Sequence, residues 1–172
     1  MKLLLHTCCA PCFIGTLPYL KDFEFTGFWF NPNIHPYTEY KSRLNALENF
    51  TKDNNINIII KDDYGLREFT RGVIDNLENR CGYCYDCRIK SCAEFAADNN
   101  FDAFSSTLFV SPYQNHEKIK EICEKYADIY KIKFFYGDFR ENFRNGQKQA
   151  RENNIYTQKY CGCIFSEEER YI

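Results

Sequence analysis

The sequence predicts a single α/β domain over residues 1–172, built on a mostly parallel sheet of about five strands flanked by helices. Three observations predict it. Short apolar runs alternate with segments of helical periodicity from one end of the chain to the other. A length of 172 residues suits one domain. No repeat, low-complexity stretch or linker interrupts the alternation.

Taken in order, residues 2–7 (KLLLHT) form a short apolar strand that ends at a cysteine turn. Residues 12–21 follow as a helix with Pro11 in its first turn, and Pro18 kinks or shortens it. FEFTGFWF, at 23–30, reads as a buried strand, and the NPNIHP segment at 31–36 as a loop stiffened by Pro32 and Pro36. Leu44, Leu47 and Phe50 stand at helical spacing in a helix over 37–54. INIII, at 56–60, is a third strand. Helices are expected over 66–79, with a weak point at Gly72, and over 84–100, where Ala93, Ala96 and Ala97 permit close packing. A fourth strand covers 102–108, a helix 114–127 and a fifth strand 131–136. The remainder reads as a helix over 140–154, a loop over 155–165 and a short helix capped at Ser166.

Composition narrows the function. The net charge is −2, so bulk electrostatics do not advertise a nucleic-acid partner, although a local patch can serve one. No apolar run is long enough to span a membrane, and the KLLL start is too short for a secretion signal. The expected location is the cytoplasm. There, ten cysteines point to metal or redox chemistry rather than to five disulfides.

Their spacing makes three constellations. Cys8, Cys9 and Cys12 fall within five positions at the end of the first strand, where α/β sheets place their ligands. Cys12, near a helix start, is expected to have a lowered thiol pKa. Cys81 and Cys84 form a C-x2-C pair, with Gly82 permitting a tight turn. Cys161 and Cys163 form a C-x-C pair around Gly162. Cys87, Cys92 and Cys123 fall at helical positions and read as packing residues. Four thiols from the two pairs would make a respectable zinc site, but zinc alone leaves Cys8, Cys9 and Cys12 unused. A cubane cluster takes at most four thiolates. The surplus suggests a cluster beside a second metal with an open position, which a substrate could fill.

The polar candidates sit at the other strand ends. Asn31 and Asn33 lie on the proline-framed loop, with His35 beside them, and Tyr40 and Arg43 open the next helix. On residue type alone, an ordinary turn and a helix charge pair account for this stretch. Ser111 and Tyr113 lie after the fourth strand, and Asp138 and Arg140 after the fifth. There is no Walker motif, G-x-G-x-x-G motif or defensible Ser–His–Asp spacing.

Several segments together carry a family likeness: LLLHTCCAPC, NPNIHPYTEYKSR, RCGYC followed by Arg88, STLFVSPYQ, GDFR and YTQKYCGCIFS. Through them the chain resembles the cobalamin-free epoxyqueuosine reductases of the QueH type over residues 3–166. The resemblance implies a HUP-type fold similar to the PP-loop ATP pyrophosphatases, with cysteines in place of their phosphate loop. It implies a [4Fe–4S] cluster with an adjacent metal, iron being the expected one, held by Cys8, Cys9, Cys81, Cys84, Cys161 and Cys163, with Cys12 as a further ligand. The implied reaction is reduction of epoxyqueuosine to queuosine at the wobble position of tRNA, the last step of queuosine biosynthesis, fed by a ferredoxin- or flavodoxin-like donor. Asp138, His35 and Tyr113 are then candidate proton donors. Asn31, Asn33, Tyr40, Arg43, Arg88, Ser111 and Arg140 are candidate substrate contacts. A wobble base lies in a single-stranded loop, which proteins read by stacking, and Tyr37, Tyr40, Tyr113, Tyr156 and Tyr160 flank the loops concerned. Arg80, Arg144, Lys148 and Arg151 are further candidates for phosphate contacts. The competing reading is a zinc-stabilised tRNA-binding module without redox activity.

Overall fold

A computed structural model describes residues 1–172. Its five strands are β1 (Lys2–His6), β2 (Glu24–Trp29), β3 (Ile58–Ile60), β4 (Ala103–Ser106) and β5 (Lys133–Phe134). All pair in parallel, in the order β3-β2-β1-β4-β5. The helices are α1 (Ala10–Thr16), α2 (Tyr37–Asp53), α3 (Leu66–Val73), α4 (Arg80–Asp98), α5 (His116–Tyr130), α6 (Phe143–Glu152) and α7 (Ile164–Tyr171). No helix is long and apolar enough to cross a membrane.

The apolar run Leu3-Leu4-Leu5 explains why both faces of the sheet are covered. Side chains alternate along a strand, and all three leucines are fully buried. Leu3 and Leu5 pack with Phe13, Trp29, Leu44 and Leu47, from α1, β2 and α2. Leu4 packs on the other face with Phe104, Ile89, Ala93, Ile119 and Cys123, from β4, α4 and α5. A central parallel strand therefore needs a continuous apolar sequence. The chain moves outward from β1 to β2 and β3, then returns past β1 to β4. This reversal leaves a crevice beyond the carboxyl ends of β1 and β4.

Several boundaries differ from the sequence expectation. The helix expected over 12–21 ends at Thr16, and Leu17–Tyr19 form a single 3-10 turn at Pro18. The helix expected over 66–79 stops at Val73, next to Gly72, with a separate turn at Leu77–Asn79. The fourth strand gives way at Thr107 to a 3-10 turn, because the Ser106 hydroxyl accepts from Leu108 N at 3.1 Å. The fifth strand is only two residues long. The last helix starts at Ile164 with Cys163 as its cap, while the Ser166 hydroxyl bonds back to Cys163 O and Gly162 N. The main correction concerns α4. It begins at Arg80, so the C-x2-C pair lies in the first turn of a helix and not on a preceding turn. Spacing of i, i+3 still sets Cys81 and Cys84 on one helical face.

Helices α1 and α6 cross at two glycines. A Cβ on Gly146 would stand 2.6 Å from Pro11 O and 2.9 Å from Gly15 Cα. That approach matters for the crevice, because α1 carries Cys12 and α6 carries Gln147 and Arg151 to its wall. Gly146→Ala is expected to force the helices apart and to destabilise by about 1–3 kcal/mol, the usual cost of overpacking. A thermal melt checks this, and an unchanged midpoint would show that the crossing relaxes freely.

Candidate metal centre

The first cysteine group is assembled by the β1–α1 turn. Cys9 is extended and caps α1, with its sulfur accepting from Cys12 N at 3.4 Å. The sulfurs of Cys8, Cys9 and Cys12 all lie within 4.8 Å of one another, and Cys8 Sγ is 3.8 Å from Cys9 Sγ. Four thiolates held tetrahedrally at 2.3 Å around one ion stand about 3.8 Å apart, so the spacing suits a single ion. Hydrogen bonding with the Cys12 and Cys9 sulfurs, and a bond donated by Thr107 Oγ1 from the β4 side at 3.4 Å, hold the Cys8 thiol well below its ordinary range. Burial pushes Cys9 up, and hydrogen bonding to Cys8 pushes Cys12 up. The lowered thiol is thus Cys8, not Cys12 as the helix-dipole argument suggested. α1 has only seven residues, and the sulfur contacts outweigh its dipole.

The two chelating pairs meet on the other side of the crevice. Cys84 and Cys163 pack together with Phe69 and Val73, while Cys81 and Cys161 are exposed. Although Cys81 is exposed as a residue, partial desolvation of its thiol raises it, with Cys161 and Cys163 adding to the rise. Burial pushes Cys84 up to about 12, against the pull of the Arg88 charge, and Cys161, Cys163 and Cys81 push it further. Each sulfur therefore lies within electrostatic reach of the other pair. No three of these four sulfurs approach as closely as the Cys8, Cys9 and Cys12 group. The set is thus looser than a closed zinc tetrahedron. A cubane carries its irons at separate corners and needs its thiolates further apart.

A cavity of about 440 Å³ joins the groups. Cys8, Cys12 and Cys161 line it together with Arg88. Arg43, Arg88, Arg151 and Lys159 also line it, and no acidic residue does. A chain of net charge −2 thus carries a local basic wall. This charge pattern fits anionic, thiolate-bound metal and a phosphate-bearing ligand.

The C-x-C loop is held by residues from the NPNIHP segment and α2. Arg43 is buried, pairs with Glu39 at 2.6 Å, and donates to Cys161 O at 2.8 Å and Tyr160 O at 3.0 Å. The expected helix charge pair exists, but its guanidinium also braces a loop 118 residues away. His35 N donates to Gly162 O at 2.8 Å. Its ring nitrogens meet Pro32 O at 2.9 Å and Ile164 N at 3.2 Å. Burial holds its pKa down at about 4, so the ring is neutral. Gly162 has φ +156, and a Cβ there would stand 3.4 Å from both Arg43 Nη1 and Ile34.

The remaining predicted residues divide by position. Asn33, Arg43, Arg88, Ser111 and Tyr113 line the cavity. Asn33 Oδ1 is buried without a partner. Asn31 is fully buried beneath the site, donating to Thr7 O at 2.9 Å. Tyr40 accepts from Trp29 Nε1 at 3.2 Å and donates to Asp62 at 2.9 Å, away from the cavity. Asp138 and Arg140 form an exposed ion pair with each other that does not line it. Arg140 holds Asp138 down at about 2. Tyr113 is 83 % exposed and meets Phe143 edge-on, with ring centres 5.8 Å apart. Cys92 and Cys123 are fully buried in the core, and Cys87 packs against it.

Sequence reasoning did not single out two glutamines. Gln158 donates to Cys9 Sγ at 3.1 Å, and its Oε1 is buried and unpartnered. Gln114 donates to Cys161 Sγ at 3.4 Å. Both stand inside the distinctive segments YTQKYCGC and STLFVSPYQ, which was the only signal for them.

The family model described as epoxyqueuosine reductase QueH matches residues 3–169. An epoxyqueuosine reductase QueH from Dehalococcoides mccartyi is 36 % identical over 99 % of this chain and 94 % of its own. The enzyme of that name from Thermotoga maritima is 33 % identical over 97 % and 91 %, and the one from Streptococcus pyogenes 33 % over 96 % and 70 %. With a match that takes in all three cysteine constellations, the chain belongs to the epoxyqueuosine reductase QueH family of oxidoreductases.

Proposed function

We propose that this protein reduces epoxyqueuosine to queuosine at the wobble position of tRNA, using a [4Fe–4S] cluster and an adjacent metal ion, with iron as the expected metal. The observation that carries the proposal is the meeting of Cys8, Cys12 and Cys161 on one cavity, with Arg88 reaching Cys84 from the same wall. Cys81, Cys84, Cys161 and Cys163 would hold the cluster. Cys8, Cys9 and Cys12 would hold the second ion, leaving a position open. When bound, this centre supplies electrons and a Lewis-acidic position for the epoxide oxygen.

The chain's own residues prepare the substrate. Conversion of the epoxide to the alkene takes two electrons and two protons and releases the oxygen as water. A ferredoxin- or flavodoxin-like protein would provide the electrons one at a time. Asn33 and Gln158 line the cavity, and each has a buried acceptor oxygen without a partner that a donor of the modified base would satisfy. Arg151 and Lys159 are placed for phosphate contacts. Tyr113, at the exposed rim beside Phe143, suits stacking on a splayed base. Among the three candidate proton donors, Tyr113 is the one that lines the cavity. His35 is committed to bracing the C-x-C loop, and Asp138 to Arg140. The reaction would take place in the cytoplasm, where tRNA is modified.

The direct test is anaerobic incubation with tRNA carrying epoxyqueuosine and a low-potential reductant, followed by nucleoside mass spectrometry. The expected product lacks one oxygen. An unchanged nucleoside, with protein that has taken up iron and sulfide, would overturn the assignment.

Ligand roles are tested separately. Cys81→Ala and Cys161→Ala are each expected to abolish the visible charge-transfer absorbance of anaerobically reconstituted protein. Cys123→Ala, in the core, should keep it and lose about 1 kcal/mol of stability. Full absorbance in both site variants would refute the ligand set.

A further inference from the structure

Two arginines are buried beside this centre, and they are neutralised differently. Arg43 has Glu39 at 2.6 Å. Arg88 is 3 % exposed, and no carboxylate pairs with it. Its Nη2 donates to Cys84 Sγ at 2.9 Å and its Nε to Cys84 O at 3.1 Å. Cys84 Sγ is in direct contact with this guanidinium, and Cys8 and Cys161 line the same cavity wall. Those sulfurs come from all three cysteine constellations. A cation buried without a counter-ion is costly, so this arrangement is stable only where the sulfurs around it are anionic.

We infer that Arg88 is the shared counter-cation of the metal centre and sets its reduction potential, acting as a positioning and tuning residue and not as a substrate contact. The inference rests on the function proposed above. Reduction adds one electron from the low-potential donor to the centre. No bond forms or breaks and no proton moves, so the site becomes more negative by one charge. A fixed guanidinium hydrogen-bonded to a ligand sulfur stabilises the reduced form and raises the potential.

The test uses the reconstituted full chain with Arg88→Gln and Arg88→Lys, and reads the midpoint potential by spectroelectrochemistry. Glutamine keeps a donor and removes the charge, whereas lysine keeps the charge and loses the planar fork. R88Q is expected to shift the potential to a more negative value, with R88K close to the parent. If R88Q fails to load a cluster while R88K loads one, the requirement for charge is equally established. Parent-like potentials in both variants would overturn the inference while leaving the proposed reaction intact. Failure of both variants to load would also overturn it, because shape and not charge would then be the requirement. A parent protein that holds no cluster would remove both the inference and the function beneath it.

Discussion

The structure depends on the convergence of thiols from three distant parts of the chain around buried positive charge. Cys8, Cys12 and Cys161 line one cavity with the buried guanidiniums of Arg43 and Arg88, and Arg88 reaches from it to Cys84, which packs with Cys163. Thiolates brought this close repel each other and resist ionisation when desolvated. The raised thiols of Cys81 and Cys84 express that cost. In the proposed function, bound metal ions together with arginine would offset it.

The parallel sheet explains how such a site can be built from short segments. Its topological reversal beside β1 opens a crevice where the β1 turn and the loop after β4 come together. Cys8 N donates to Thr107 Oγ1 at 3.1 Å across that crevice, fixing the two strand ends to each other. His6 meets Ser106 Oγ at 3.0 Å and Phe30 O at 3.3 Å, adding the end of β2. The C-terminal loop then closes over the crevice and is held by Arg43 and His35. Residues that look catalytic by type, such as His35, therefore serve as mechanical braces for cysteine placement.

Much of this was legible in the sequence. The alternation of apolar runs and helical periods identified every strand, whereas the strand order and the central place of β1 came from the structure. The Cys8-to-Cys12 group was placed at the end of the first strand by the same reading. Boundaries were missed where local side-chain bonds overrode propensity, as at Ser106 and Cys163. The start of α4 was missed because Gly82 within a C-x2-C pair looks like a turn, yet helical spacing serves the pair as well. The roles of Arg43 and Arg88 were not legible, because each is defined by contacts with segments far away in sequence. Asp138 and Arg140 also lie at a strand end, but they pair with each other and do not line the cavity.

The quantity that tests this account most directly is the iron and acid-labile sulfide content of the anaerobically reconstituted chain. A cubane with one further ion predicts about four sulfides and about five irons for each chain. Stoichiometric zinc with no labile sulfide would contradict it, and would reduce the three cysteine groups to separate structural features.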